Sequence, residues 1–161
     1  MKIIKAENDD LSDILSLQRL AYQSEAKLVN DFSIPPLTQT LEGLTADFDD
    51  GIILKAVEES NPKEIIGSVR GRFLENTLYI GRLIVNPSFQ NKGIGTALLL
   101  HIESLYPRAR YELFTSDKSS RNLSLYIKNG YKEFKRKPLN EHVDFVFLEK
   151  YCQNYGIQES T

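Results

Sequence analysis

Between Val85 and Glu103 the chain reads VNPSFQNKGIGTALLLHIE: a polar turn, two glycines one residue apart, and then an apolar stretch of helical composition. A strand that passes through such a turn straight into a helix leaves the first backbone N–H groups of that helix without intrahelical partners, at the positive end of the helix dipole. The junction favours an anion, and phosphate is its natural guest. Gly93 and Gly95 carry no Cβ to hold a bulky pyrophosphate off the main chain, Thr96 adds a hydroxyl, Lys92 adds positive charge, and Gln90 can bond the turn or a ligand. A glycine pair before a helix also suits a plain strand-to-helix turn, so its meaning rests on what surrounds it.

KIIKAE at residues 2–7 reads as an opening strand. Asn8, Asp9 and Asp10 then cap a helix in which Leu11, Ile14, Leu15 and Leu20 fall near helical spacing, to about Glu25. Pro35 and Pro36 interrupt the pattern, and Leu37, Leu41 and Leu44 resume it as a second, shorter helix. From Ile52 the period changes: IILKAVEES, EIIGSVRGRFLE and TLYIGRLIV are rich in β-branched and aromatic residues and separated by turn signals, as in an antiparallel meander. After the junction helix come a strand (RYELFT), a helix (SSRNLSLYIKNGY) with Gly130 at its C-cap, and two strands (KEFKR, HVDFVFLEK). The predicted order is βααβββαβαββ, with no internal repeat. Residues 1–151 are expected to form one domain and residues 152–161 a polar, frayed tail.

With 161 residues, 41% of them hydrophobic and 26% charged, the chain suffices for one buried core. The net charge of −2, with both signs mixed along the sequence, offers no basic face for nucleic acid. One cysteine, Cys152, excludes an internal disulfide, and with only His101 and His142, far apart, no metal cluster is expected. No run approaches the ~18 apolar residues of a membrane span, and MKIIKAENDD lacks the apolar core of a signal peptide. The expectation is a soluble cytoplasmic protein with neither membrane nor nucleic acid as partner.

Three phosphate motifs compete for the junction. The dinucleotide fingerprint G-x-G-x-x-G fails because Leu98 stands where its third glycine belongs, and the P-loop fails because the lysine precedes the glycine. The third pattern is met in full. LIVNPSFQNKGIGTALLLHIE resembles the acetyl-coenzyme A loop of the GNAT N-acetyltransferase superfamily, Gln/Arg-x-x-Gly-x-Gly/Ala, read here as Gln90, Asn91, Lys92, Gly93, Ile94 and Gly95. The element order over nearly the whole chain is similar to that family's. The resemblance implies an α/β GNAT fold: a mixed, mostly antiparallel sheet of about seven strands flanked by about four helices, with residues 90–96 holding the diphosphate of acetyl-coenzyme A.

A second signature, a helix ending Leu-Tyr-x-x-x-Gly-Phe/Tyr, is matched by Leu125, Tyr126, Gly130 and Tyr131. The resemblance implies that Tyr126 donates a proton to the departing thiolate; a phenol with an ordinary pKa of ~10 is protonated at neutral pH and suits the task. Many family members carry a cofactor-contacting Asn seven residues before that tyrosine. Ser119 stands there, Asn122 lies one turn later, and either would make the contact; Asn122 is favoured because it shares the helix face of Tyr126 at i, i+4.

The family splays its fourth and fifth strands apart, which implies main-chain cofactor contacts at Leu83, Ile84 and Val85; Gly81 hints at a bulge nearby. An amide aimed at the thioester oxygen would stabilise the charge developing there, typically by ~3 kcal/mol. No residue is assigned as the general base. Family members often place a Glu on strand four, whereas this strand offers Tyr79, Gly81 and Arg82, with Glu75 in the preceding turn. His101 and Cys152 read as structural, His142 lies in a connection near the acceptor in the family, and residues 32–43, with Phe32 and Tyr22, form either a proline-set bend or an acceptor wall.

The implied activity is an acetyl-coenzyme A-dependent N-acetyltransferase acting by direct attack of a primary amine, small-molecule or protein-borne, in a ternary complex. Dimerisation is common in the family. The alternative is a non-catalytic acyl-coenzyme A sensor.

Overall fold

In a computed structural model, which describes residues 1–152, the chain runs β1 (Lys2–Lys5), α1 (Leu11–Ala21), α2 (Gln23–Val29), α3 (Pro35–Thr38), α4 (Leu41–Asp50), β2 (Ile52–Glu58), β3 (Asn61–Leu74), β4 (Thr77–Val85), α5 (Ile94–Ser104), β5 (Arg110–Ser116), α6 (Ser120–Lys128), β6 (Lys132–Pro138) and β7 (Asp144–Tyr151). The strands form one seven-stranded sheet in the order β1-β2-β3-β4-β5-β7-β6. Among the described residues only the β4–β5 pair is parallel, and α5 is the crossover such a pair requires. The meander β2-β3-β4 is antiparallel as its period-2 pattern predicts. Its second hairpin turns through Glu75 and Asn76, both at positive φ (50° and 61°), a two-residue turn matched to strand twist.

The two helices expected before β2 are four segments. Tyr22 sets α1 off from α2, which ends at Asn30 in the left-handed region (φ 52°), and the two prolines open α3 at positions where a missing N–H costs nothing. The expected polar tail lies outside the described residues except for Cys152, which is buried against the main core.

Hydrophobic clusters occupy both faces of the sheet. Leu54, Ala56, Leu78 and Ile80 pack with Leu98, Leu99 and Ile102 of α5, while Ile53, Val57 and Ile84 pack with Leu11, Ile14 and Leu15 of α1 and Leu44 of α4. Strand alternation explains Ile53 against Leu54. It does not explain β4, where Leu78, Ile80 and Ile84 share parity yet Ile84 faces the opposite side. The register supplies the reason: β3 advances from Ser68 to Arg70 while β4 advances from Gly81 to Ile84, so β4 carries one extra residue. The bulge reverses side-chain facing from that point on. Its strained residue is Arg82 (φ 48°), one position beyond the glycine that hinted at it.

Candidate active site

The parallel ladder between β4 and β5 holds for three pairs, Thr77–Arg110, Leu78–Tyr111 and Tyr79–Glu112, after which the strands part. Past Tyr79, the β4 edge that faced β5 has main-chain groups free of that ladder, and unpaired main-chain groups need other partners. The opening is a cleft of about 480 Å³ walled by Leu83, Ile84 and Val85 on β4, by the start of α5, by α6, and by Tyr22 and Glu25 of the α1–α2 corner. The bulge puts Leu83 and Val85 against the α5 cluster and Ile84 against α1.

At one end of the cleft lies the glycine junction. Pro87–Phe89 forms a 3-10 turn, Asn91 takes a positive φ of 62°, and Gly93 (φ 82°) is the N-cap of α5. The first α5 bond in this turn runs from Ala97 N–H to Gly93 C=O at 3.0 Å, so the amides of Ile94, Gly95 and Thr96 precede the helical ladder, and no side chain caps them. The two glycines serve different ends. A Cβ at Gly93 would meet nothing within 4 Å, so that glycine is needed for its left-handed backbone; at Gly95 a Cβ would stand 3.5 Å from Leu125 and 3.8 Å from Val85, narrowing the cleft. Gln90, Asn91, Gly93, Ile94, Gly95 and Thr96 all line the cleft; Lys92 instead lays its Nζ 5.1 Å from the Phe89 ring centroid. The Gln90 Oε1 accepts from Arg121 Nη1 at 2.6 Å, tying the loop to α6. Arg121 and Lys128 also face the cleft, and with Leu125 they fall at i, i+4 and i+7, a pattern that could have been read from the sequence.

The spacing of the second motif has a local cause. Tyr131 N–H bonds the Tyr126 carbonyl at 3.0 Å and Gly130 N–H bonds that of Ile127 at 3.1 Å, with Gly130 at φ 95°. That is a Schellman ending: Tyr126 is the third residue from the helix end, and the Tyr131 ring packs 6.0 Å from its ring. Tyr131 in turn donates to Glu103 Oε2 at 2.8 Å. Tyr126 is buried and is not itself a lining residue, though its chain neighbour Leu125 and Asn122 one turn before it are. Burial first, then Tyr22 and Glu25, push its phenol above the ordinary tyrosine value, so it holds its proton far into alkaline conditions.

Glu25 is the residue that sequence reading missed. Its Oε1 accepts from Ser119 Oγ at 2.8 Å and from Asn122 Nδ2 at 3.2 Å, and it is the acidic residue among the described lining residues. Both positions considered for a cofactor contact therefore meet on one carboxylate. Asn122 also reaches Thr115 at 3.3 Å and lines the cleft, while Ser119 is 1% exposed and does not. Glu75 lies in the hairpin turn at the opposite end of β4, and neither Tyr79, His101, His142 nor Phe32 lines the cleft. No group of His, Cys, Asp or Glu among the described residues is arranged to hold a metal ion. No described helix is long and apolar enough to cross a membrane.

Residues 49–133, just over half of the chain, match the family described as Acetyltransferase (GNAT) domain. The chain is a GNAT protein. That segment runs from the end of α4 through the bulge, the glycine loop and the Schellman ending. Solved GNAT structures have the same architecture. The PaiA N-acetyltransferase from Thermoplasma acidophilum in complex with coenzyme A is 22% identical (TM-score 0.75, covering 93% of this chain and 98% of that one). The ribosomal-protein-S18-alanine N-acetyltransferase from Escherichia coli is 14% identical (TM-score 0.75, 93% and 92%). A spermidine N-acetyltransferase chimera from Vibrio cholerae and hSSAT is 13% identical (TM-score 0.72, 98% and 99%). At these identities the likeness is one of fold. No curated protein sequence matches the chain. GNAT membership makes acyl transfer the general chemistry.

Proposed function

We propose that this GNAT protein transfers the acetyl group of acetyl-coenzyme A to a primary amine by direct attack in a ternary complex. The observation that carries the reading is the continuity of the cleft, from three uncapped amides at its α5 end, past the open edge of β4, to Tyr22 and Glu25 at the other. The residues fit the donor. The α5 amides of Ile94, Gly95 and Thr96 would hold its diphosphate, with Asn91 in the turn before them and Arg121 and Lys128 supplying positive charge. The main chain of Leu83, Ile84 and Val85 would bond its amide-bearing arm. Acetyl-coenzyme A supplies, when bound, an acetyl group activated as a thioester. Lys92, turned onto Phe89, would reach a phosphate only by rotating out.

Tyr126 acts as the general acid. Its raised pKa means that the phenol is fully protonated at neutral pH, so the proton is available when a thiolate departs, and the transfer is completed as the attacking nitrogen gives up its own proton. Asn122 and Ser119 hold the Glu25 carboxylate, which sets the polarity of the acceptor end. A non-catalytic sensor would need no proton-handling groups there, whereas Glu25, Tyr22 and Tyr126 gather at that end.

The test is acetyl transfer across an amine panel read by thiol release. Tyr126→Phe is expected to lower kcat about 100-fold or more while acetyl-coenzyme A affinity, read by calorimetry, changes little. Unchanged turnover of a good substrate by Tyr126→Phe removes the acid role. Tight donor binding with no transfer to any amine favours the sensor.

A further inference from the structure

Neither the donor loop nor Tyr126 makes use of Arg82, the residue at the β4 bulge. Its φ of 48° is one that L side chains rarely adopt, and its Nε is buried without a hydrogen-bond partner among the described residues. Its guanidinium carbon lies 5.9 Å from the Tyr22 ring centroid, and no carboxylate among the described residues pairs with it. The neighbouring cation differs in this respect. Arg70 pairs with Asp47 at 2.6 Å and bonds Gln39 and Gln18 as well, and burial together with the charge of Arg82 depresses its pKa.

Near the same tyrosine a charge of opposite sign is in a similar position. Glu25 accepts hydrogen bonds from Ser119 and Asn122 but pairs with no cation among the described residues, and both bonds end on Oε1, so the second oxygen has lone pairs to offer. The Tyr22 phenol lies within the fields of Arg82, Glu25 and Arg70 and also interacts with the Arg82 guanidinium as a hydrogen-bond partner, which leaves Arg82 without a carboxylate but not without a polar neighbour. A cation and a carboxylate, neither with an oppositely charged partner among the described residues and not paired with each other, both act on Tyr22; Arg82 is not itself a lining residue of the cleft but adjoins two that are, Leu83 in sequence and Tyr22 in space. A charge withdrawn from water is stabilised only by an opposite charge and hydrogen bonds. A polyamine would bring a further cation toward Arg70 and Arg82, and a protein N-terminus has no free carboxylate beside its amine.

Resting on the acetyl-transfer reading, we propose that the acceptor is a zwitterion of the α-amino acid class, its carboxylate bound by Arg82 and its amine set against Glu25, beside Tyr22. The bound ammonium gives one proton to Glu25, which passes it to solvent. The nitrogen then attacks the acetyl carbon, the N–C bond forming as the C–S bond breaks. The departing thiolate takes the proton of Tyr126, and the phenol is restored by the second proton leaving the nitrogen. The products are an N-acetyl amino acid, a free thiol and one released proton.

The experiment compares standard α-amino acids with the decarboxylated amine and the methyl ester of each, in the wild type, Arg82→Met and Arg82→Lys. Thiol release gives rates, and calorimetric titration into the coenzyme A complex gives affinities. Wild type should prefer the free acid on the order of 10- to 100-fold in kcat/KM, mostly through KM. Arg82→Met should bring that ratio close to one, and Arg82→Lys should keep part of it. A decarboxylated amine or ester as good as its parent acid, or an unchanged ratio in Arg82→Met, overturns the proposal. Where acetyl-coenzyme A binds but nothing is turned over, the acetyl-transfer reading fails and calorimetry decides the subsite: carboxylate-dependent heat supports it, and its absence overturns it. Coenzyme binding by each variant reports that the cleft is folded. Wild-type protein that binds no coenzyme overturns both readings together.

Discussion

Gly130 occupies a left-handed backbone (φ 95°) where an added Cβ would have room, 3.6 Å from the nearest carbon of Lys150, so a substitution there is strained rather than crowded. Gly130→Ala should cost about 1–2 kcal/mol, read as a lowered urea midpoint. Because the same turn sets the height of Tyr126 on α6, turnover should fall as well, an effect that plain destabilisation would not produce at temperatures where the variant is fully folded. Gly130 could be read from the sequence because a left-handed position at a helix end is a local demand that glycine meets, whereas Gly93 stood out there for the access it leaves a phosphate, and its left-handed backbone is what the structure adds. Arg82 and Glu25 could not. A positive φ on an arginine follows from how β3 and β4 are registered, and the place of Glu25 follows from a contact with residues 94 and 97 positions away. Gly81 hints that β4 bulges nearby, but nothing local singles out Arg82 or Glu25.

Helices and strands carry their own tests. Under α5, the Glu103 carboxylate, 7% exposed, takes Lys150 Nζ at 2.7 Å and the Tyr131 hydroxyl at 2.8 Å, joining α5, β7 and the end of α6. Glu103→Leu leaves a cation and a phenol without their acceptor. Because Lys150 retains some access to water, the loss should fall at about 2–3 kcal/mol in denaturant melts, and adding Lys150→Met should recover part of it. Before α1, burial raises the Asp10 pKa, but the Glu7 N–H and Lys55, each 2.8 Å away, outweigh it and leave the carboxyl below its ordinary value. A depressed carboxyl stabilises the fold above its unfolded pKa, and that contribution is lost as pH falls through the folded one. Asp10→Asn should therefore cost about 1 kcal/mol at pH 7, with the difference vanishing as the pH drops below ~4. The strand pattern was legible because alternation and turn residues are short-range. The α1–α4 region was read only in outline, since the break between α1 and α2 at Tyr22 and the bond from Gln18 to the Pro36 carbonyl depend on packing between segments.

For the whole molecule, a ligand seated where β4 and β5 part touches β4 and the start of α5 on one side and α6, which follows β5 in the chain, on the other. Acetyl-coenzyme A at about 100 times its Kd should add about 2.7 kcal/mol of stability and raise the melting temperature by roughly 5–10 °C, measured by thermal shift. An unchanged melting point at saturating dose, with the protein folded, would remove the donor assignment. The three-pair ladder that opens the cleft has a mechanical consequence. Strands β1–β4 and β5–β7–β6 are two blades riveted at one end, so whatever fills the gap acts as the missing rivets. Amide hydrogen exchange along residues 80–85 should then slow when the donor binds, and the protein without it should flex about Thr77–Tyr79 as a pair of tweezers does about its joint.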